Sequence, residues 1–140
     1  MPPESARVLI VDDEPALRAL VSKVVERLEA GVSLAADGSE ALRMLADEGP
    51  FDVILLDLMM PRVNGFTVLN EFKKKAPEGV RCVIVMSAIG RPIRASDSDV
   101  VCAVVEKPFD LERLQAVVAD CLTAHNEPNR GHGNDCNREP

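Results

Sequence analysis

The sequence predicts one doubly wound α/β domain, and three observations carry that prediction. Short apolar runs, nearly continuous, alternate along the chain with stretches whose apolar residues recur every three or four positions. Apolar runs without polar alternation are typical of strands buried on both faces, as in a parallel sheet. Parallel strands joined through helices cross over with a right-handed sense, so we expect helices on both faces of the sheet.

Five segments have the composition of buried strands. Each is rich in Val, Ile and Leu, and each ends at a polar residue or a turn. In chain order the predicted strands are residues 7–11, 32–36, 53–56, 82–86 and 100–105.

The helices between these strands are marked by residues that start or stop a helix. Pro15 suits the first turn of the first helix, and Gly31 is expected to end it. Ser39 is expected to cap the second helix and Asp110 the last one. The third helix begins near Phe66, after a loop.

Composition and charge exclude several functional classes. The 140 residues are 46% apolar, carry a net charge of −7 and have a pI near 4.8, which argues against binding nucleic acid through its phosphates. No apolar run is long enough to span a membrane, and no basic segment followed by an apolar core marks a signal peptide. We therefore expect a cytoplasmic protein whose four cysteines are reduced.

The chain divides into a domain and a tail. Apolar periodicity continues to about residue 124, so residues 1–124 are predicted to form the domain. Residues 125–140 are rich in Asn, Gly, Pro and charge, which indicates a disordered polar tail.

Polar residues follow four of the apolar strands at the ends where ligands bind in an open α/β sheet. Asp12 and Asp13 follow the first strand, Asp57 ends the third, Ser87 the fourth, and Lys107 follows the fifth. Three carboxylates converging at one edge repel one another unless a cation lies between them. Their oxygens suit Mg²⁺, and one of them could then attack a phosphoryl group.

Four sequence blocks at these strand ends resemble the signature of response-regulator receiver domains. They are Val-Asp-Asp-Glu-Pro at 11–15, Leu-Asp-Leu-Met-Met-Pro at 56–61 with Gly65 after it, Ser-Ala at 87–88, and Lys-Pro-Phe at 107–109. The resemblance covers about residues 6–123. It implies a five-stranded flavodoxin-like sheet in the order 2-1-3-4-5, and a phospho-accepting module of a two-component phosphorelay.

The resemblance also implies a role for each site residue. Asp57 would be the phosphoacceptor, while Asp13 would bind Mg²⁺ directly and Asp12 largely through water. The backbone carbonyl of Met59 would complete the metal ligands. Ser87 and Lys107 would contact the phosphoryl group, and the peptide from Lys107 to Pro108 would be cis.

The same resemblance sets expectations for partners and activity. A histidine kinase or a phosphotransfer protein would donate the phosphoryl group, and an unknown downstream protein would receive the signal by contact or by relay. The chain would bind neither nucleic acid nor membrane, and would be a monomer or a weak homodimer. Apart from its own phosphoryl transfer and slow autodephosphorylation it would not be an enzyme.

Three departures from the family pattern concern the output face rather than the acidic site. Val104 stands where the family has Tyr or Phe, three residues before the lysine. The segment between Ser87 and Lys107 is about two residues short, and it contains Gly90, Pro92 and a polar run. We therefore expect the fourth helix of the family to be short or irregular.

Two other functions fit a similar fold. A pseudo-receiver would bind proteins without phosphorylation, but its site would be expected to lack an acidic residue or the lysine, and here all are present. An aspartate-nucleophile phosphatase would need an acid two residues after the nucleophile, where this chain has Met59.

Overall fold

The computed structural model describes residues 6–58, 65–75, 80–88, 100–107 and 110–126, and it has the predicted doubly wound architecture. Five parallel strands form one sheet in the order β2-β1-β3-β4-β5. The strands are β1 Arg7–Val11, β2 Gly31–Ala35, β3 Phe51–Asp57, β4 Val80–Ala88 and β5 Val101–Lys107. The helices of these ranges are α1 Pro15–Glu26, α2 Gly38–Glu48, α3 Gly65–Lys75 and α4 Leu111–Asn126.

The sheet separates two apolar layers, because successive side chains of a strand point to opposite faces. On the α1/α4 face, Val53 and Leu55 of β3 pack with residues of α1 and α4. On the α2/α3 face, Ile54 and Leu56 pack with residues of α2 and α3. All four side chains are fully buried, which is why this strand reads as an unbroken apolar run.

Strand β5 contains a bulge that changes which of its residues face each layer. Val83 of β4 is level with Val101, but the next residue, Ile84, is level with Ala103. Cys102 is therefore the extra residue on β5, and two residues oppose one at this point. Beyond the bulge the register is regular as far as Ala88 and Lys107.

Two helix boundaries differ from the sequence predictions. Asp37 caps α2, because its Oδ1 accepts a hydrogen bond from the Glu40 amide at 2.8 Å, so the prediction of Ser39 as the cap was wrong. The Glu40 side chain accepts from the Ala36 amide at 2.7 Å, one residue before the cap, so the pair forms a capping box shifted by one residue. Ser39 lies two residues after the cap, inside the first turn of the helix, and is exposed.

The end of α1 also differs, since the helix stops at Glu26 rather than at Gly31. The chain reverses through Glu29, which has the left-handed φ of 63°, and Gly31 already belongs to β2. The last helix is capped as predicted, with Asp110 Oδ1 accepting from the Arg113 amide at 2.6 Å.

The C-terminal boundary shifts slightly. Helix α4 continues to Asn126, two residues past the predicted end of the domain at 124. Residues 127–140 lie outside the described residues, so the disordered tail stays a prediction, and so does the short or irregular fourth helix within residues 89–99. No helix of the described ranges is long and apolar enough to cross a membrane.

The cysteines depart from the expectation of separate reduced thiols. Cys82 of β4 and Cys102 at the bulge of β5 are joined as a disulfide between neighbouring strands, with their Cα atoms 5.6 Å apart. Residues with no local motif were brought together by strand pairing, which spacing along the sequence does not reveal.

The capping box of α2 yields a prediction about stability. Asp37→Ala removes the acceptor for the Glu40 amide and should lower the free energy of unfolding by about 1 kcal/mol. Ser39→Ala, a substitution two residues away in the same turn, should change it by less than about 0.5 kcal/mol. Urea unfolding midpoints at pH 7 measure both; a larger loss for Ser39→Ala would assign the cap to Ser39 after all.

Candidate functional site

Strand register brings two buried carboxylates together at one edge of the sheet. Val11, the last residue of β1, is level with Leu56 of β3, so Asp12 and Asp57 follow side by side. Alternation along both strands points the two side chains to the α1/α4 face. Asp12 and Asp57 are 0% and 2% exposed and are the buried charged residues of the described ranges. The sheet order reverses between β1 and β3, where ligands of such folds bind.

Asp12 is held by its backbone more than by its carboxylate. Its amide donates to the Ala35 carbonyl of β2 at 3.1 Å, and its own carbonyl accepts from the Arg18 guanidinium at 2.6 Å. One carboxylate oxygen, Oδ1, accepts from the Glu14 amide at 2.9 Å. The other, Oδ2, is buried and has no hydrogen-bond partner in the part of the chain that the structure describes.

Asp57 is paired with the one lysine predicted for the site. Lys107 Nζ lies 3.1 Å from Asp57 Oδ2, and the lysine side chain keeps 24% of its surface exposed. Lys107 ends β5, two strands away from β3, and its long side chain reaches across β4 to Asp57. A charge-assisted bond between a buried carboxylate and a partly exposed lysine leaves the lysine accessible from solvent.

Asp13 adds a third carboxylate at the solvent side of this pair. Oxygen atoms of Asp12, Asp13 and Asp57 all lie within 4.8 Å of one another, and Asp13 is exposed. With Lys107 the group carries a formal net charge of −2. At this separation each like-charged pair repels by roughly 3 to 4 kcal/mol in an effective dielectric of about 20.

Burial and repulsion act together on Asp12. Desolvation is the main cause that raises the pKa of Asp12 above its ordinary 3.8, and the charges of Asp57 and Asp13 raise it further. The Glu14 amide and Lys107 lower the pKa of Asp12, but they do not compensate. The folded chain therefore holds a proton on Asp12 more tightly than the unfolded chain does.

A divalent cation fits this donor set. The ligand atoms on offer are carboxylate oxygens, which Mg²⁺ prefers over nitrogen or sulfur. The net charge of −2 matches the cation. The buried Asp12 Oδ2 atom, which no described residue contacts by a hydrogen bond, is the acceptor that a metal or its bound water would use.

The structure accounts for most of the predicted site residues and adds one. Asp12, Asp13, Asp57 and Lys107 converge as predicted. Ser87 lies on β4 with its Cα paired to Glu106, one position beyond the Met86 that is level with Asp57. Its side chain, Met59 and the peptide bond to Pro108 lie outside the described part of the structure.

Arg18 was missed by sequence reasoning. It is one of several charged residues on α1, and nothing in its spacing sets it apart. Only the fold shows that its guanidinium reaches the Asp12 carbonyl and fixes the loop that carries both acidic residues.

Comparison with known protein families agrees with this geometry. The family model for the response regulator receiver domain matches residues 8–119. The chain belongs to this family. The matched residues include β2 to β5, all of β1 except Arg7, and every described residue of the acidic site.

Curated relatives of this receiver domain are mostly longer proteins. The DNA-binding dual master transcriptional regulator RpaA of Synechocystis sp. is 36% identical over 119 residues, which are 83% of this chain and 48% of that protein. The sporulation initiation phosphotransferase F of Bacillus subtilis is 32% identical over 118 residues, 83% of this chain and 93% of that protein. The chain thus spans about half or less of the length of several relatives that it matches.

A solved structure shows the same fold with a ligand. The response regulator protein TrrA from Thermotoga maritima, in complex with Mg²⁺ and BeF, is 28% identical and superposes with a TM-score of 0.71. The match covers 83% of this chain and 98% of that one. This likeness and the observed strand order confirm the predicted flavodoxin-like topology.

The raised pKa of Asp12 predicts how stability depends on pH when metal is absent. Asp12 binds its proton more tightly in the folded state than in the unfolded state. The charged carboxylate therefore lowers the free energy of unfolding at pH values above its pKa in the folded chain. That loss is recovered as the pH falls toward 3.8. In EDTA at pH 7, Asp12→Asn should raise the free energy of unfolding by on the order of 1 kcal/mol, or about 3 to 5 °C in Tm. This gain should shrink as the pH is lowered toward 4.

Thermal unfolding of wild type and variant at matched pH values measures that difference directly. Asp47→Asn, an exposed carboxylate on α2, serves as the control for removing one negative charge. A variant at Asp12 that melts below wild type in EDTA at pH 7 would contradict the assignment of strain to this carboxylate.

Proposed function

We propose that this receiver domain accepts a phosphoryl group on Asp57 and thereby switches a two-component pathway. The observation that carries the proposal is the buried Asp57 carboxylate, ion-paired to Lys107 and level with a second buried carboxylate. A structural ion pair would need no further acid beside it, whereas a phosphoryl-transfer site needs one nucleophile and separate ligands for a cation.

Mg²⁺ is the proposed cofactor, held by Asp12, Asp13, Asp57 and the Met59 backbone carbonyl. When bound, it would offset charge on the oxygens of the transferring phosphoryl group and of the attacking carboxylate. The chain's own residues supply the arrangement: Arg18 fixes the loop after β1, and Asp12 stays in place through its bond to β2.

Asp57 is the proposed nucleophile. A carboxylate oxygen attacks phosphorus, a P–O bond forms, and the bond from phosphorus to the donor breaks in line with it. From phosphohistidine the leaving group is the imidazole nitrogen, which takes up a proton from solvent. Lys107 stands 3.1 Å from the carboxylate and can follow the negative charge onto a phosphoryl oxygen, where the Ser87 hydroxyl would donate a second bond.

The partners follow from this chemistry. A histidine kinase or a phosphotransfer protein would donate the phosphoryl group, and a downstream protein would read the modified face. The chain would act in the cytoplasm and would be an acceptor rather than an enzyme acting on other substrates. The Bacillus relative that aligns over nearly its whole length is named a phosphotransferase, which favours onward relay as one output.

The other functions gain no support from the site. A pseudo-receiver would be expected to lack an acidic residue or the lysine, and Asp12, Asp13, Asp57 and Lys107 all converge. Direct binding of nucleic acid by this chain is disfavoured by its charge of −7, although the longer relative RpaA is named DNA-binding.

Phosphorylation of Asp57 is tested by intact mass. Incubation with acetyl phosphate and Mg²⁺ should add one phosphoryl group to wild type and none to Asp57→Asn, because the amide oxygen is too poor a nucleophile. Asp47→Asn should label like wild type. Equal labelling of wild type and Asp57→Asn would reject Asp57 as the acceptor.

Metal binding is tested by thermal unfolding. A ligand that binds only the folded state adds RT ln(1 + [L]/Kd), so Mg²⁺ at 100 times its Kd should add about 2.7 kcal/mol, or roughly 8 to 12 °C in Tm. Asp13→Asn should lose most of that rise, and Ca²⁺ or Mn²⁺ can serve as comparison ions. A rise of equal size in Asp13→Asn would remove Asp13 from the ligand set.

A further inference from the structure

Three cysteines meet in the α1/α4 layer, away from the acidic edge of the sheet. Cys82 of β4, Cys102 of β5 and Cys121 of α4 are buried, and their sulfur atoms all lie within 4.8 Å of one another. Cys82 and Cys102 are joined directly. Neither the acidic site nor the sequence motifs make use of these residues.

Cys102 is also the bulge residue of β5, and the bulge decides where Lys107 points. Before it, Val101 faces the α2/α3 layer; Cys102 and Ala103 then both face the α1/α4 layer. Val104 packs against the α2/α3 layer again, and Val105 against the α1/α4 layer. By the same alternation Lys107 projects to the face on which Asp12 and Asp57 lie.

Without the bulge, that alternation would reverse. Removing one residue from the register at position 102 moves every later residue of β5 to the opposite face of the sheet. Lys107 would then point to the α2/α3 layer, where it could not pair with Asp57. The bulge is therefore a positioning feature for the lysine five residues further along.

We propose that Cys82 and Cys102 are a redox-sensitive lock on this bulge. The bond ties the extra residue of β5 to β4 and so holds the register that aims Lys107 at Asp57. Its meaning for signalling rests on the proposed function, because Lys107 acts there on the phosphoryl group. The lock itself is a property of the β4–β5 pair.

The bond forms by a balanced two-electron oxidation. Each thiol loses a proton and an electron, the two S–H bonds break, and one S–S bond forms. A small-molecule disulfide such as oxidised glutathione accepts both electrons and both protons as it becomes two thiols. The sulfurs lie in the apolar core, so the oxidant reaches them during folding or when β5 opens locally.

Two considerations favour a reversible lock over a permanent staple. Disulfides in the cytoplasm, where we propose that this chain acts, are transient more often than structural. This disulfide joins residues 20 positions apart in the sequence. Cys121, beside both sulfurs, offers a third thiol through which the bond can exchange.

Peptide mapping tests whether the bond forms. The protein is folded with oxidised glutathione or with dithiothreitol, alkylated in denaturant and digested with trypsin. The oxidised sample should contain residues 82–94 linked to residues 95–113, and the reduced sample should contain both peptides separately. Cys121→Ala, which removes a thiol from the same layer, should still give the linked pair, and Cys82→Ala should not.

Unfolding and hydrogen exchange test the lock. A cross-link between residues 20 positions apart should raise Tm by about 10 °C in the oxidised wild type. The amides of residues 103–107 should exchange about tenfold more slowly. Both differences should persist in Cys121→Ala and disappear in Cys82→Ala.

Peptide mapping, unfolding and hydrogen exchange do not depend on phosphorylation. The experiments can therefore reject the disulfide lock without rejecting the proposed function, and rejection of the proposed function would leave the lock untouched. Absence of the linked peptide after oxidative folding would overturn the proposal. So would a linked protein whose Tm and exchange at residues 103–107 equal those of the reduced form. A stoichiometric soft metal bound to the purified protein, with no linked peptide, would overturn it in favour of a thiolate metal site.

Discussion

Two buried carboxylates side by side are the constraint on which the rest of this structure depends. Asp12 and Asp57 are both buried at the ends of neighbouring strands, and burial together with the charge of Asp57 raises the pKa of Asp12. A fold can tolerate this arrangement only if the strands that carry them are fixed by a large apolar core. Strand β3 meets that requirement, because Val53 to Leu56 are buried on both faces of the sheet.

The site residues converge only because their side chains point to the same face of the sheet as well as lying near one another. Asp12, Asp57 and Lys107 end three different strands, and all three must fall on the same face. Regular pairing of β1 with β3 provides this for the two acids. Lys107 reaches the same face only because of the bulge at Cys102. This irregularity in the pairing of β4 with β5 therefore determines the direction of a site residue at the end of β5.

The sequence was sufficient wherever a local pattern determines the outcome. Apolar runs predicted the strands, and the polar residues at strand ends predicted the acidic cluster. The strand order came from the resemblance to receiver domains. The sequence was insufficient where the outcome depends on distant residues. Arg18 reaches Asp12 only once α1 is packed. The contact between Cys82 and Cys102 depends on the pairing of β4 with β5, which no spacing rule reveals. The cap of α2 is a different case, because the Asp37 and Glu40 bonds are local and their spacing was a signal that the prediction of Ser39 overlooked.

The energetic imbalance of the site is what would allow it to work as a switch. A site whose charges were already balanced would gain little from a cation or a phosphoryl group, and binding would shift no equilibrium. Here the charge of −2, and an Asp12 oxygen that has no hydrogen-bond partner among the described residues, leave free energy to be recovered on binding. Lys107 is paired with Asp57, and under the proposed function it would pair with the phosphoryl group after transfer. Lys107 ends β5, which is an edge strand of the sheet. A change in the partner of Lys107 would therefore displace this edge strand and leave the central strands and the apolar core unaltered.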